Sequence, residues 1–114
     1  MNRKIKKQWI EALLSGEYKQ TKSSLYNRGR YCCLGVLCEI AGDGYWRLVP
    51  KEERIDDEPA WKYVHTDGME SNARLPDRLR FDLDLSIAEE YHLIAMNDAG
   101  NSFESIARYI KENL

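Results

Sequence analysis

The sequence predicts an α+β fold, in which a small antiparallel sheet is combined with an N-terminal helix and C-terminal helices in one compact domain spanning residues 1–114. Apolar residues recur at helical spacing at both ends of the chain, and short aromatic and β-branched runs separated by turn residues fill its middle. The 114 residues, of which 43% are hydrophobic, are enough for one ordinary core. Strands and helices that cluster in separate stretches are typical of this fold class.

The first helix is predicted from residue 4 to about residue 15. Ile5, Trp9 and Leu13 follow one helical face, and Gly16 suits a left-handed C-cap. Lysines occupy the first turn, where the helix dipole already presents positive charge. We expect this end to be frayed and solvated unless an anion or an acidic surface compensates the charge.

Residues 18–26 and 30–33 are predicted to form two strands, because the Asn-Arg-Gly sequence between them suits a tight turn. A short buried helix should follow, since the next apolar residues recur with helical spacing. Its predicted apolar positions are Leu34, Leu37, Cys38 and Ala41, and Gly42 follows as a stop.

Two further strands, 45–49 and 60–64, are predicted to pair across the loop PKEERIDDEP, which is too charged to be buried. The segment HTDGMESN, from residue 65, is expected to be an exposed turn. A short helix is predicted from Leu75 with Pro76 at its first position.

Ser86 and Glu89 match a capping box and predict a helix to about Met96. The buried stripe of this helix is expected to be Ile87, Tyr91, Ile94 and Ala95. Residues 97–101 should break it. The last helix is predicted to begin at Ser102 and to bury Phe103, Ile106, Ala107 and Ile110.

The three cysteines, Cys32, Cys33 and Cys38, are interpreted as free thiols in the core, because free cysteine is among the most buried residue types. A structural zinc site needs four ligands in units such as CxxC, and the sequence contains no CxxC. A Cys–His nucleophile has no local signature here. His65 is expected in an exposed loop and His92 on a helix surface.

No catalytic residue, metal ligand or cofactor is predicted, and the chain is not expected to be an enzyme. The sequence contains no GxGxxG, P-loop, HExxH or GxSxG motif. Its neighbouring carboxylates are typical of solvated faces, since they would matter for catalysis only if the fold brought them into one cleft.

Charge is spread unevenly, although the net charge is only −2. Residues 1–31 hold eight cations and two carboxylates, whereas residues 32–114 hold nine cations and seventeen carboxylates. The basic quarter can form a local anion site, but the acidic balance disfavours broad duplex DNA binding, so nucleic acid is not the expected partner. No apolar run suits a membrane span or a secretion signal, which predicts a cytoplasmic protein.

The C-terminal segment MNDAGNSFESIARYIKENL resembles the first helix and turn of a helix-turn-helix. A recognition helix must follow such a scaffold helix, and the sequence ends at Leu114 without one. A small DNA-binding regulator is therefore a minor alternative.

Three blocks, WIEALLSGEYKQ (9–20), RYCCLGVLCEIAG (30–42) and MNDAGNSFESIARYI (96–110), resemble a family of small accessory proteins carried by tailed phages and prophages. In this order they cover about a third of the chain. The chain is also similar to the Thoeris anti-defence sponge proteins, which are non-catalytic and sequester cyclic ADP-ribose signals made by bacterial immune enzymes. The resemblance transfers no ligand-binding residue onto this sequence.

A sponge for a phosphorylated nucleoside needs cations for its phosphates, aromatic faces for its base and an amide or carboxylate for its polar edge. The ligand-binding candidates for these roles are Arg28, Arg30, Tyr31, Trp46, Phe81 and Asn97, with Trp61 as a further stacking candidate. Each has a structural alternative: solvated hairpin arginines, core aromatics, and a helix–helix corner at Asn97.

The leading hypothesis is thus a phage anti-defence protein that sequesters a cyclic nucleotide-type signal. A homo-oligomer is expected, in which pockets are completed between chains. The alternative is a protein-binding inhibitor, similar to an anti-CRISPR, in which residues 52–58 and 82–90 mimic the charge of nucleic acid.

Overall fold

Five α-helices and two three-stranded sheets make up the computed structural model, which describes residues 1–114. The helices are α1 (Arg3–Leu14), α2 (Cys33–Ala41), α3 (Asp77–Asp82), α4 (Ile87–Asp98) and α5 (Phe103–Asn113). The strands are β1 (Lys19–Gln20), β2 (Tyr26–Asn27), β3 (Arg30–Tyr31), β4 (Tyr45–Leu48), β5 (Trp61–Val64) and β6 (Glu70–Ser71). The predicted α+β class is confirmed. No helix is both long and apolar enough to cross a bilayer.

The first sheet has the order β1-β3-β2 and is mixed, because β1 runs parallel to β3 while β2 and β3 form an antiparallel hairpin. The predicted hairpin turn is present, and both Arg28 and Gly29 have positive φ there. The prediction of one long strand over 18–26 is wrong. Its middle turns away at Ser23, whose φ is +68° and whose N–H donates to the Asp98 carboxylate at 2.9 Å.

The second sheet, β4-β5-β6, is antiparallel. The predicted pair β4–β5 is confirmed, with Trp46 opposite Tyr63. The segment expected to be an exposed turn instead includes β6, and His65 at its start is buried. His65 N–H donates to the Met69 carbonyl at 2.9 Å, which closes the turn back onto the sheet.

Helix α1 is capped at its N-terminus and not frayed, whereas its first-turn cations Arg3 and Lys4 are exposed to solvent as expected. The Asn2 side chain accepts the Ile5 N–H at 3.0 Å as an N-cap, and the Asn2 N–H donates to the Leu83 carbonyl at 3.3 Å. One side-chain hydrogen bond and one backbone hydrogen bond therefore hold the basic first turn in place.

Helix α4 faces the core with a side rotated from the predicted one, and of the predicted stripe only Ile94 packs against the core. Its capping box is confirmed, but Ile87 and Tyr91 are about half exposed and Ala95 is exposed. The buried residues are Glu90, Leu93 and Asn97. Helix α5 buries Phe103, Ile106, Ala107 and Ile110 as predicted, whereas Pro76 is the N-cap of α3 and not its first helical residue.

Helix α2 lies at the centre of the core, and every residue from Cys33 to Cys38 is buried. The Trp9 indole N–H of α1 donates to the Cys33 carbonyl at 2.9 Å. Gly35 touches the backbone of Leu25 so closely that an added Cβ would overlap the Leu25 carbonyl. The same carbonyl accepts the Cys32 N–H at 3.1 Å, which leaves it little freedom to move.

We predict that Gly35→Ala lowers the free energy of unfolding by about 1 to 3 kcal/mol, the usual range for overpacking. Glycine-to-alanine changes in open helix positions are stabilising, so the expected sign is reversed by the contact with Leu25. Urea unfolding, monitored by far-UV circular dichroism, measures this change in the free energy of unfolding. Ala88→Gly on the exposed face of α4 is the control and should cost about 0.5 to 1 kcal/mol. A Gly35→Ala protein as stable as the parent would contradict the packing described here.

Candidate functional site

An aromatic cluster joins the two sheets and is the structural centre of the candidate site. Tyr26 of β2 stacks on Trp46 of β4, with ring centroids 5.0 Å apart and planes 19° from parallel. Trp61 of β5 meets Tyr26 edge-on at 5.6 Å. Tyr31 contacts Trp46 edge-on at 6.1 Å. All four rings are half-buried, so each contributes to packing and still presents surface to solvent.

Glu39 holds two rings of this cluster in place. Its Oε1 accepts the Tyr31 hydroxyl at 3.1 Å and the Trp46 indole N–H at 2.8 Å. Its Oε2 accepts no hydrogen bond from the chain, and the residue is exposed. The site therefore combines aromatic surfaces with one free carboxylate oxygen, which can accept a donor from a ligand.

The buried helix α2 explains how Glu39 reaches this position. Cys38 directly before Glu39 is buried, whereas Glu39 is exposed at the C-terminal end of the helix. Tyr31 precedes the same helix by two residues. The core-anchored helix α2 thus places the acceptor beside Trp46, and strand β3, which leads into that helix, places the donor.

Electrostatics at the cluster keep Tyr31 protonated. Burial raises the pKa of Tyr31 well above its ordinary value of 10.0, and the negative charge of Glu39 and its hydrogen bond raise it further. The pKa of Tyr18, which meets Tyr31 edge-on at 5.1 Å, is raised by burial and then by Glu39. Both phenols remain hydrogen-bond donors through the physiological range.

The two predicted arginines do not form a common clamp. Arg28 lies in the hairpin turn, two residues after Tyr26, and pairs with Glu58 at 3.6 Å, with both side chains largely exposed. Arg30 precedes Tyr31 on β3, and adjacent strand residues point to opposite faces of a sheet. Arg30 is therefore turned away from the rings that Tyr31 contacts.

Two other predicted site residues lie outside the cluster. Phe81 is 76% exposed at the end of α3, where it lines a separate cleft with Met1 and Leu85. Asn97 is fully buried, and its amide is used internally. Its Oδ1 accepts the Cys33 N–H at 3.1 Å and the Gln20 side chain at 2.9 Å, while its Nδ2 donates to the Thr21 carbonyl at 2.8 Å. Asn97 lies in the last turn of α4 and bonds to α2 and to the β1 segment, so neither the ligand role nor the predicted corner role describes it; at the corner itself, Asn101 Nδ2 donates to the Met96 carbonyl at 2.9 Å.

The cysteines are confirmed as buried free thiols. Burial raises the pKa of Cys32 to about 11 and raises the pKa values of Cys33 and Cys38 well above their ordinary value of 9.0. A thiol must ionise to attack or to bind a metal, so this environment disfavours both roles. His92 lies on the helix surface as predicted, stacked near Tyr109 at 4.7 Å.

Sequence reasoning missed Glu39 and Tyr26. A signal for Glu39 was present, because it is the only charged residue between Cys32 and Gly42. A lone carboxylate at the end of an otherwise apolar helix indicates where that helix reaches the surface, and a neighbouring Tyr31 hydroxyl or Trp46 N–H can donate to it there. Tyr26 had no such signal, since its stacking partner Trp46 lies in the other sheet.

Comparison with known proteins places the chain in a family without assigning it an activity. The chain belongs to the family described as "Domain of unknown function (DUF8296)", whose model matches residues 1–114. No curated protein and no solved structure matches the chain. The function therefore has to be argued from the chemistry of the site itself.

We predict that Glu39→Gln lowers the pKa of Tyr31 but leaves it above 10.0, because the charge of Glu39 is lost while burial, the largest cause, remains. In the parent, the unfolded chain loses the Tyr31 proton before the folded chain does, so stability should fall as the pH rises above 10.0. Carbon-13 NMR of labelled tyrosine side chains follows the titration. Glu112→Gln on α5 is the control and should change nothing; an unchanged Tyr31 titration in Glu39→Gln would refute the assigned contact.

Proposed function

We propose that this protein is a non-catalytic binding protein that captures and sequesters a nucleotide-type small molecule. The observation that carries this proposal is the half-buried Tyr26–Trp46 stack beside the free Oε2 of Glu39. Bases of any identity stack on aromatic side chains, at about 1 to 3 kcal/mol per base. A carboxylate oxygen accepts hydrogen bonds from the amino or imino groups of a base or from ribose hydroxyls.

The phosphate groups of such a ligand would be met by Arg28, the predicted arginine that lies beside the cluster. Its ion pair with Glu58 is exposed on both sides, and exposed pairs contribute about 0 to 1 kcal/mol. A phosphate could therefore displace Glu58 at small cost and gain a bidentate contact. We propose that a second copy of the chain supplies further cations, because Arg28 and Arg30 do not form a common clamp within one chain.

The ligand class that we propose is the cyclic ADP-ribose or cyclic nucleotide signal of a bacterial immune system, and the role is phage anti-defence. The resemblance of the three sequence blocks to phage accessory and sponge proteins supports this role. Binding without cleavage is supported by the burial of all three thiols and by their raised pKa values.

The experiment is to incubate the protein with cyclic ADP-ribose isomers and cyclic di- and trinucleotides, remove unbound compound, and identify what heating releases by mass spectrometry. Recovery of one compound unchanged is the expected result. Recovery of a chemically altered compound would replace the proposal with an enzymatic one. Recovery of none would overturn it.

We predict that Trp46→Leu and Glu39→Gln each weaken binding of the recovered compound by about tenfold to a hundredfold, as the loss of stacking or of a charged acceptor implies. Isothermal titration calorimetry measures the affinities. Tyr45→Ala is the matched control, because Tyr45 is the preceding residue of β4, is 60% exposed and takes no part in the cluster. Equal losses in all three variants would show that the cluster is not the site.

A second candidate function rests on the loop between β4 and β5. Ile55 is completely exposed there and is surrounded by acidic residues, namely Glu52, Glu53, Asp56, Asp57 and Glu58. Five carboxylates in one exposed loop can meet a basic surface of a partner protein, and Ile55 adds an apolar contact among them. We propose this loop as the contact surface of an inhibitor of a defence complex, as the alternative to ligand capture.

The two functions make opposite predictions for one variant. Neutralising Asp56, Asp57 and Glu58 to Asn, Asn and Gln should leave small-molecule affinity unchanged or raise it, because Arg28 loses its carboxylate partner. For the inhibitor, the same variant should abolish protection of phage in infected cells. Phage plating on a defence-positive host tests this, with Trp46→Leu as the reciprocal control.

A further inference from the structure

A cationic face lies on the packed helices α1 and α5. It shares no residue with the aromatic cluster. Lys6 of α1 donates through Nζ to the Lys111 carbonyl of α5 at 3.3 Å, which sets the two helices side by side. Between them is a groove of about 290 Å³. Its lining residues are Arg3, Lys6, Lys7, Ile10, Glu11 and Lys111.

The cations of this face have no carboxylate partners. Arg3, Lys4, Lys6, Lys7 and Lys111 form no ion pair within the chain. Glu11 is the only carboxylate that lines the groove. Arg108, next along α5, is already paired with Glu104 at 3.7 Å. Four cations and one carboxylate thus line this groove, on a chain whose net charge is −2.

The cations are also held on a rigid support. Asn2 caps α1, its N–H is tied to Leu83, and the N-terminal ammonium lies 3.8 Å from the Asp84 carboxylate. The first turn of α1 contains no acidic residue, so its cations repel one another and the positive end of the helix dipole. An anion bound here would relieve this repulsion.

We propose that the α1–α5 face binds the phosphodiester backbone of a nucleic acid without reading its sequence. Arg3 and Lys7 are one helical turn apart, about 6 Å along the axis, and present point charges in a row. Ile10 is the single apolar residue of the groove. A protein partner would require larger apolar anchors, whereas phosphate contacts need only cations.

This binding is independent of the proposed capture of a small molecule, because no residue is shared between the two sites. It also differs from the helix-turn-helix alternative. That alternative requires a recognition helix in the major groove, whereas here the contacts come from α1, and α5 contributes Lys111 from its last turn.

The test is fluorescence anisotropy with a labelled single-stranded oligonucleotide of about 20 nucleotides and with the corresponding duplex, measured over a series of salt concentrations. Affinity should fall steeply with salt. In Arg3→Gln/Lys7→Gln, the slope of log K against log salt should decrease by about 1.4 for single strands, since each phosphate contact contributes about 0.7. The variant should keep the parent's circular dichroism spectrum, because both side chains are exposed.

The matched control is Lys22→Gln/Lys51→Gln, which removes the same charge from exposed positions elsewhere. It should retain the parent slope. An equal decrease in both double variants would show a general charge effect and overturn the proposal. Poly-glutamate of equal charge that competes as well as the oligonucleotide would also overturn it, in favour of an acidic protein partner. So would an affinity that does not respond to salt.

Discussion

The fold depends on one buried amide, that of Asn97. Its oxygen accepts the free N–H at the start of α2 and the side chain of Gln20, and its nitrogen donates to the Thr21 carbonyl. It thereby connects β1, α2 and α4, which are distant in sequence. A buried amide with unmade hydrogen bonds costs about 1 to 3 kcal/mol per group, so these elements are held in one relative arrangement. The position of α2, and with it that of Glu39, follows from this arrangement.

The same face of α4 carries a second buried polar residue, Glu90. It is fully buried, and its carboxylate accepts two hydrogen bonds from Arg74, at 2.8 and 3.0 Å, and the Leu75 N–H at 2.9 Å. With Asn97 it forms a polar edge on the inner side of the helix. Apolar periodicity alone selects a neighbouring face, because Ile87, Tyr91 and Ala95 recur at helical spacing. Satisfied polar partners from other elements override that pattern, and a sequence does not display those partners.

The parts of the fold that the sequence predicts well are those set by local chemistry. The capping box of α4, the Asn-Arg-Gly hairpin turn and the apolar stripe of α5 depend on neighbours within a few residues. Of the candidate site, Tyr31, Trp46 and Trp61 are brought together, and Arg28 lies at the edge. Phe81, Arg30 and Asn97 are not brought to this cluster. Their placement depends on tertiary contacts and on strand register, which composition and spacing leave open.

The position of Glu39 explains why a cysteine-rich apolar motif ends in a charge. A carboxylate in the last turn of a helix lies at the negative end of the helix dipole, which disfavours its charge. The Tyr31 hydroxyl and the Trp46 N–H donate hydrogen bonds to Oε1, which offset this unfavourable effect of the dipole. No group of the chain donates a hydrogen bond to Oε2. A ligand donor at Oε2 would therefore strengthen an interaction that the helix end weakens. Residues Cys33–Cys38 of α2 are buried, so the backbone that carries Glu39 is held by the core, and the two hydrogen bonds at Oε1 orient its exposed carboxylate.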